Sequence, residues 1–127
     1  MKGSTEQHSD LVNQILISIG MLPFVRVWKN ATGAYQDDRG LWVRYGLPGS
    51  ADITGVLNHS SGVGLRLEIE CKTGNAVQSK IQKNFQTMII NMGGLYLLAR
   101  DAQSSVEFVH KAREYDLRSI RQLCTVR

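Results

Sequence analysis

Apolar residues recur near the start of the chain at Leu11, Ile15 and Ile19, with Val12 and Leu16 beside them. That spacing predicts a helix over residues 5–20, with Ser4 or Thr5 able to cap it and Gly20 able to end it. Pro23 breaks the chain, and residues 24–28 read as a strand. Residues 30–39 are polar and, with Gly40, read as a hairpin-like loop leading to a short strand over 41–45. The turn Gly46-Leu47-Pro48-Gly49 delivers the chain to a strand over 52–57, and residues 58–62 form a loop by composition. The stretch 63–71 reads as a buried strand, and its run 65–71 is the most strand-like in the chain and reads as central.

After a turn over 73–76, a second helix is expected over 80–92. Ser79 and Gln82 have the spacing of a capping box, and Ile81, Phe85, Met88, Ile89 and Met92 form the apolar stripe. Gly93-Gly94 stops it, and the unbroken apolar run 95–99 reads as a buried strand. This strand should lie parallel to the 63–71 strand, reached through a right-handed helical crossover. A further helix is expected over 102–112, with Val106, Val109 and Ala112 facing inward, and a short one around 117–123. The order of elements predicts an α/β chain whose mixed sheet is flanked by helices.

At 127 residues and 14.2 kDa the chain is expected to form one domain, residues 1–127. Cys71 and Cys124 are too few for a disulfide scaffold and lack the pairing of a zinc site; Cys71 reads as a small buried apolar group. No apolar run approaches a membrane span and no signal-peptide pattern opens the chain, so an intracellular, cytoplasmic protein without a membrane partner is expected. Net charge is +4, and the whole basic excess lies beyond residue 63, where ten basic residues face six acidic ones. That bias favours polyanionic partners.

Asp52 precedes Glu70-Cys71-Lys72 by eighteen residues. Strand side chains alternate, so Glu70 and Lys72 point the same way, and a neighbouring strand could set Asp52 beside Glu70. Paired carboxylates invite a hard dication, and an adjacent lysine suits metal-assisted phosphodiester cleavage. Taken singly, each residue has a plainer reading. Asp52 could satisfy turn N–H groups, and Glu70 with Lys72 could be a cross-strand charge ladder. Glu68 shares their face and reads as a rim residue paired with Arg66 or Lys72, or as a second-metal ligand. Gln82 could serve only the capping box, and Glu6 could be a first-turn acid favoured by the helix dipole. His8, His59 and His110 have no metal-ligand partner at recognisable spacing and read as incidental. Trp28 and Trp42 read as core or interface residues.

The ordered set Gly46-Leu47-Pro48-Gly49-Ser50-Ala51-Asp52-Ile53, Glu70-Cys71-Lys72, Ser79-Lys80-Ile81-Gln82 and Gly93-Gly94 resembles the PD-(D/E)XK nuclease superfamily, and more closely its VRR-NUC branch in the small stand-alone form found in phages. The resemblance covers most of residues 6–100; Ala51 stands where proline can precede the aspartate. It implies a restriction-endonuclease-like fold in which Asp52, Glu70 and the Cys71 backbone carbonyl hold Mg²⁺ or Mn²⁺ and Lys72 orients or activates the attacking water. Gln82 would support the site or touch the scissile phosphate, and Glu6 looks like the family's helical glutamate. The implied activity is structure-selective DNA cleavage by a homodimer similar to Holliday-junction resolvases, in a bacterial host cell were the chain phage-encoded. Flap or nonspecific DNA cleavage and a catalytically silent DNA-binding module are the rivals. Lys80 and Lys83 are the foremost DNA contacts, with Lys29 and Arg44, and then Arg26 and Arg39, as further candidates. Lys111, Arg113, Arg118 and Arg121 read as a solvated face.

Overall fold

The structure is a computed structural model that describes residues 3–125. The chain runs α1 (Ser4–Gly20), β1 (Val25–Lys29), β2 (Gly33–Gln36), β3 (Trp42–Tyr45), β4 (Ile53–Asn58), β5 (Gly64–Cys71), α2 (Lys80–Asn91), β6 (Leu95–Ala99), α3 (Ala102–Glu114), a 3₁₀ turn (Leu117–Ser119) and α4 (Ile120–Thr125). Four strands form a mixed sheet in the order β1-β4-β5-β6, and β2 and β3 pair as a separate antiparallel hairpin. β1 and β5 each pair antiparallel with β4, which lies between them, whereas β6 runs parallel to β5 through the α2 crossover. The expected parallel pair and helical connection are therefore present.

Alternation along the strands divides the sheet into two unlike faces. One face carries Val25, Val27, Ile53, Leu57, Leu65, Leu67, Ile69, Leu95 and Leu97, nearly all buried. α1 and α3 lie against it, with Leu11, Val12, Ile15 and Ile19 supplying the helical stripe of α1. The other face carries Trp28, Thr54, Glu68 and Tyr96 in one cross-strand row. α2 covers only the β6 side of that face: Phe85 meets the Tyr96 ring edge-on at 6.4 Å, and Gln78 Nε2 donates to Tyr96 Oη at 3.1 Å. α4 closes the outer edge of β6, where the Tyr96 N–H donates to Cys124 Sγ at 3.5 Å. The β1–β4 half stays open, and Trp28 and Val56 are exposed there.

Several local expectations need correction. The helix begins at Ser4 with Gly3 as its N-cap and no side-chain capping bond, so Ser4 and Thr5 both lie inside it. Residues 33–36 form a strand, although every position is exposed and no apolar alternation betrays it. In α2 the buried residues are Phe85, Ile89 and Ile90, while Ile81 and Met88 are exposed, because the helix is covered on one flank alone, and Met92, also exposed, is its C-cap. In α3, Ser105 and Phe108 join Val109 and Ala112 inside, and Val106 is partly buried. Trp28 and Trp42 are surface residues, not core.

Candidate active site

The register of β4 against β5 pairs Ile53 with Ile69, so one step outward sets Asp52 opposite Glu70 at the end of the sheet. The turn before Asp52 is held from two sides. Asn30 Nδ2 donates to Ser50 Oγ and to the Ala51 carbonyl, each at 2.9 Å, and the Asn30 N–H donates to the Asp52 carbonyl at 2.8 Å. Gly49, at φ +81°, lets the backbone pass tightly beside Ile81 on α2. Asp52 Oδ2 then accepts the Cys71 N–H at 2.8 Å, which locks the carboxylate to the end of β5.

Glu70 is 2% exposed. Its Oε2 has no hydrogen-bond partner among the described residues. Burial pushes its carboxyl up to about 8; hydrogen bonding to Asp52 and repulsion from it add to the rise, while Lys72 acts the other way. The two carboxyl groups thus lie side by side, with the lysine charge close by. Burial and the same two acids push the Cys71 thiol up to about 12, so Cys71 presents a carbonyl oxygen and not a thiolate. The buried Tyr96 hydroxyl is likewise held well above its usual value, first by burial and then by Glu70.

Glu68 is not a rim residue. It is fully buried, its Oε2 accepts from Arg66 Nε at 2.9 Å and from the Thr54 hydroxyl, and its Oε1 has no partner among the described residues. Gln82 completes the capping box: its Oε1 accepts from the Ser79 N–H at 2.9 Å, and its own N–H donates to Ser79 Oγ at 3.2 Å. Glu6 is exposed in the first turn of α1, and no described contact joins it to Asp52 or Glu70. At about 100° per residue it lies some 200° around the helix from His8.

His8 is the site residue that sequence reading missed. Its Nε2 stands 3.2 Å from Asp52 Oδ2 and 3.1 Å from the Cys71 carbonyl oxygen. The available signal was its place one turn ahead of Leu11, Val12 and Ile15, on the stripe that faces the sheet. His59 and His110 are structural. His59 Nε2 meets the Tyr115 carbonyl at 2.7 Å, and His110 packs edge-on to Phe24.

Among the described residues, no three His, Cys, Asp or Glu side chains gather into a group that could hold a metal. Two carboxylates and a backbone carbonyl nevertheless match a hard cation such as Mg²⁺, which keeps several waters and takes one or two protein carboxylates. The unpartnered buried oxygen of Glu70 fits that donor set. Of the proposed DNA contacts, Lys80 and Lys83 are exposed on α2, and Arg44 is exposed on the hairpin. Lys29 is exposed but pairs with Ile53, on the opposite face of β1 from Trp28. No helix among the described residues is long and apolar enough to cross a membrane. No protein-family model, curated protein or solved structure matches the chain.

Proposed function

We propose that this chain is a metal-dependent DNA endonuclease of restriction-endonuclease-like fold that hydrolyses phosphodiester bonds at branched DNA, acting as a homodimer. The observation that carries the reading is the placement of Asp52 and Glu70 as abutting carboxylates, with Lys72 near enough to oppose the rise in the Glu70 pKa. A buried acid set against a second, half-buried one costs stability that folding alone does not require. Asp52, Glu70 and the Cys71 carbonyl are the residues that would hold Mg²⁺ or Mn²⁺. Such an ion supplies positive charge for phosphate oxygens and lowers the pKa of water to make a nucleophile at neutral pH. Glu70 must lose its proton to take part. Lys72 orients the attacking water and offsets charge that develops on the phosphoryl group. Asp52, fixed by the Cys71 N–H, sets the direction from which the phosphate is met. Two such sites related by a two-fold axis would suit the symmetry of a four-way junction.

The test is cleavage of a labelled four-way junction beside linear duplex and a flap, in Mg²⁺ or Mn²⁺. Paired symmetric nicks are expected, with the rate falling about 10²–10⁴-fold in Lys72→Ala. Cleavage of flap or duplex in preference to the junction would replace resolution with another nuclease activity. A folded, metal-loaded protein that cuts nothing would sink the enzyme reading and leave a DNA-binding module.

A further inference from the structure

Resting on the metal site just proposed, but not on DNA cleavage, we infer that His8 is itself a ligand of the divalent cation. It would supply an imidazole nitrogen beside Asp52 and the Cys71 carbonyl and bias the site toward Mn²⁺ over Mg²⁺. His8 Nε2 lies 3.2 Å from Asp52 Oδ2 and 3.1 Å from the Cys71 oxygen. Both partners are acceptors, and one N–H cannot be aimed well at two of them at once. The Cys71 N–H already engages Asp52 Oδ2 at 2.8 Å, so the remaining access to that oxygen is shared with His8. A cation reaching Asp52 Oδ2 and the Cys71 oxygen together must therefore either displace the imidazole or be bound by it.

The spacing favours binding. Octahedral sites with bonds of about 2.1 Å place adjacent donors about 3 Å apart, close to both separations found around Nε2. The ring is also carried by a helix whose next turns are anchored through the buried Leu11, Val12 and Ile15. Side-chain exposure of 40% for His8 and 25% for Asp52 leaves an approach for water and phosphate. Without metal, Nε2 must carry a proton, because both neighbouring oxygens only accept. On ligation its lone pair goes to the ion, and the neutral ring takes its proton at Nδ1 by exchange with solvent. An imidazole donor raises affinity for first-row transition ions relative to Mg²⁺, whose preference is for oxygen.

The experiment is Mn²⁺ binding to the full chain, followed by electron paramagnetic resonance. Free ion is counted to obtain Kd, and pulsed measurements detect nitrogen-14 coupled to the bound ion. The expected result is a histidine nitrogen coupling that disappears in His8→Ala and in His8→Gln. Mn²⁺ affinity should fall by roughly tenfold or more, and Mg²⁺ affinity, from competition, by less. The glutamine variant, with circular dichroism on both, separates loss of the ligand from loss of the fold. Bound Mn²⁺ without nitrogen coupling, or tighter binding in His8→Ala, would overturn the inference and make His8 a clamp that the cation pushes aside. A wild-type chain that binds no Mn²⁺ would overturn it together with the metal part of the proposed function. Nitrogen-ligated Mn²⁺ with no DNA cleavage would uphold His8 as a ligand and remove only the nuclease.

Discussion

Burial beside Asp52 holds the Glu70 carboxyl at about 8, from an ordinary 4.5, and this couples the site to the stability of the fold. Between those values the folded protein keeps a proton that the unfolded chain has released, so its stability falls as pH rises. The contribution is fully present below about 4.5 and is lost as pH climbs through about 8. Asp37, Asp101 and Asp116 have carboxyls held below 3.8 by hydrogen bonds, so theirs is lost only at more acidic pH and leaves this window clear. Urea midpoints measured in chelator should therefore decline from pH 5 to pH 8, and Glu70→Gln should flatten the decline. A flat wild-type profile, or the same slope in the variant, would refute the coupling. The pairing of Asp52 with Glu70 was legible because strand alternation and an antiparallel neighbour are enough to suggest it. His8 was not, because its role needs the position of α1 over the sheet end, which no local pattern encodes. Its contact was readable only as an extension of the Leu11 stripe by one turn.

Among the elements, the connection from β3 to β4 does the positioning, and Gly49 is its tightest point. A Cβ there would stand 2.6 Å from the Ile81 carbonyl oxygen, and its φ of +81° is unfavourable for any side chain. Gly62, at φ +94°, has the same backbone demand but open space around it. Both substitutions to alanine carry the cost of a left-handed conformation, about 1 kcal/mol or somewhat more. Gly49→Ala adds a clash with backbone, bringing its loss of unfolding free energy to about 2–4 kcal/mol. In the proposed function it should also weaken stabilisation by Mn²⁺, because the shifted turn carries Asp52. Equal destabilisation by the two substitutions would remove the packing argument. The Gly-Leu-Pro-Gly turn itself was readable from composition, as were both ends of the capping box at Ser79 and Gln82. β2 escaped because the sequence Gly-Ala-Tyr-Gln buries nothing, and a strand held by one partner in a solvated hairpin leaves no alternation to read.

Viewed as a whole, the molecule has helices across one face of its sheet and a single helix over part of the other. The remaining open strip begins next to the Asp52–Glu70 pair and runs along β1 and β4 past Trp28, Val56 and Arg26. Strand parity, which separates Trp28 from Lys29, redirects the expected DNA contact on β1 from Lys29 to Arg26, a change that composition could not show. Trp28 is 51% exposed and Arg26 is exposed, so the strip offers an aromatic face one row from the acids and a cation one row further on. Lys80 and Lys83 are exposed on α2, the helix that covers the β6 side of this face. In the proposed function this strip is where the sugar–phosphate backbone would be held, and phosphate contacts reveal themselves by salt dependence. The plot of log affinity for duplex or junction DNA against log salt, in Ca²⁺ to prevent cutting, should lose about 0.9 of slope for each phosphate contact removed. Arg26→Ala and Lys83→Ala should each show that loss, and Trp28→Ala should weaken binding with little change in slope, because an apolar contact with the sugars would release no counterion. Lys111→Ala, exposed on the α3 side of the sheet, is the control and should leave both affinity and slope nearly unchanged. A slope that falls for Lys111 and not for Arg26 or Lys83 would move the nucleic acid to the helical face, away from the carboxylate pair, and separate DNA binding from the candidate chemistry.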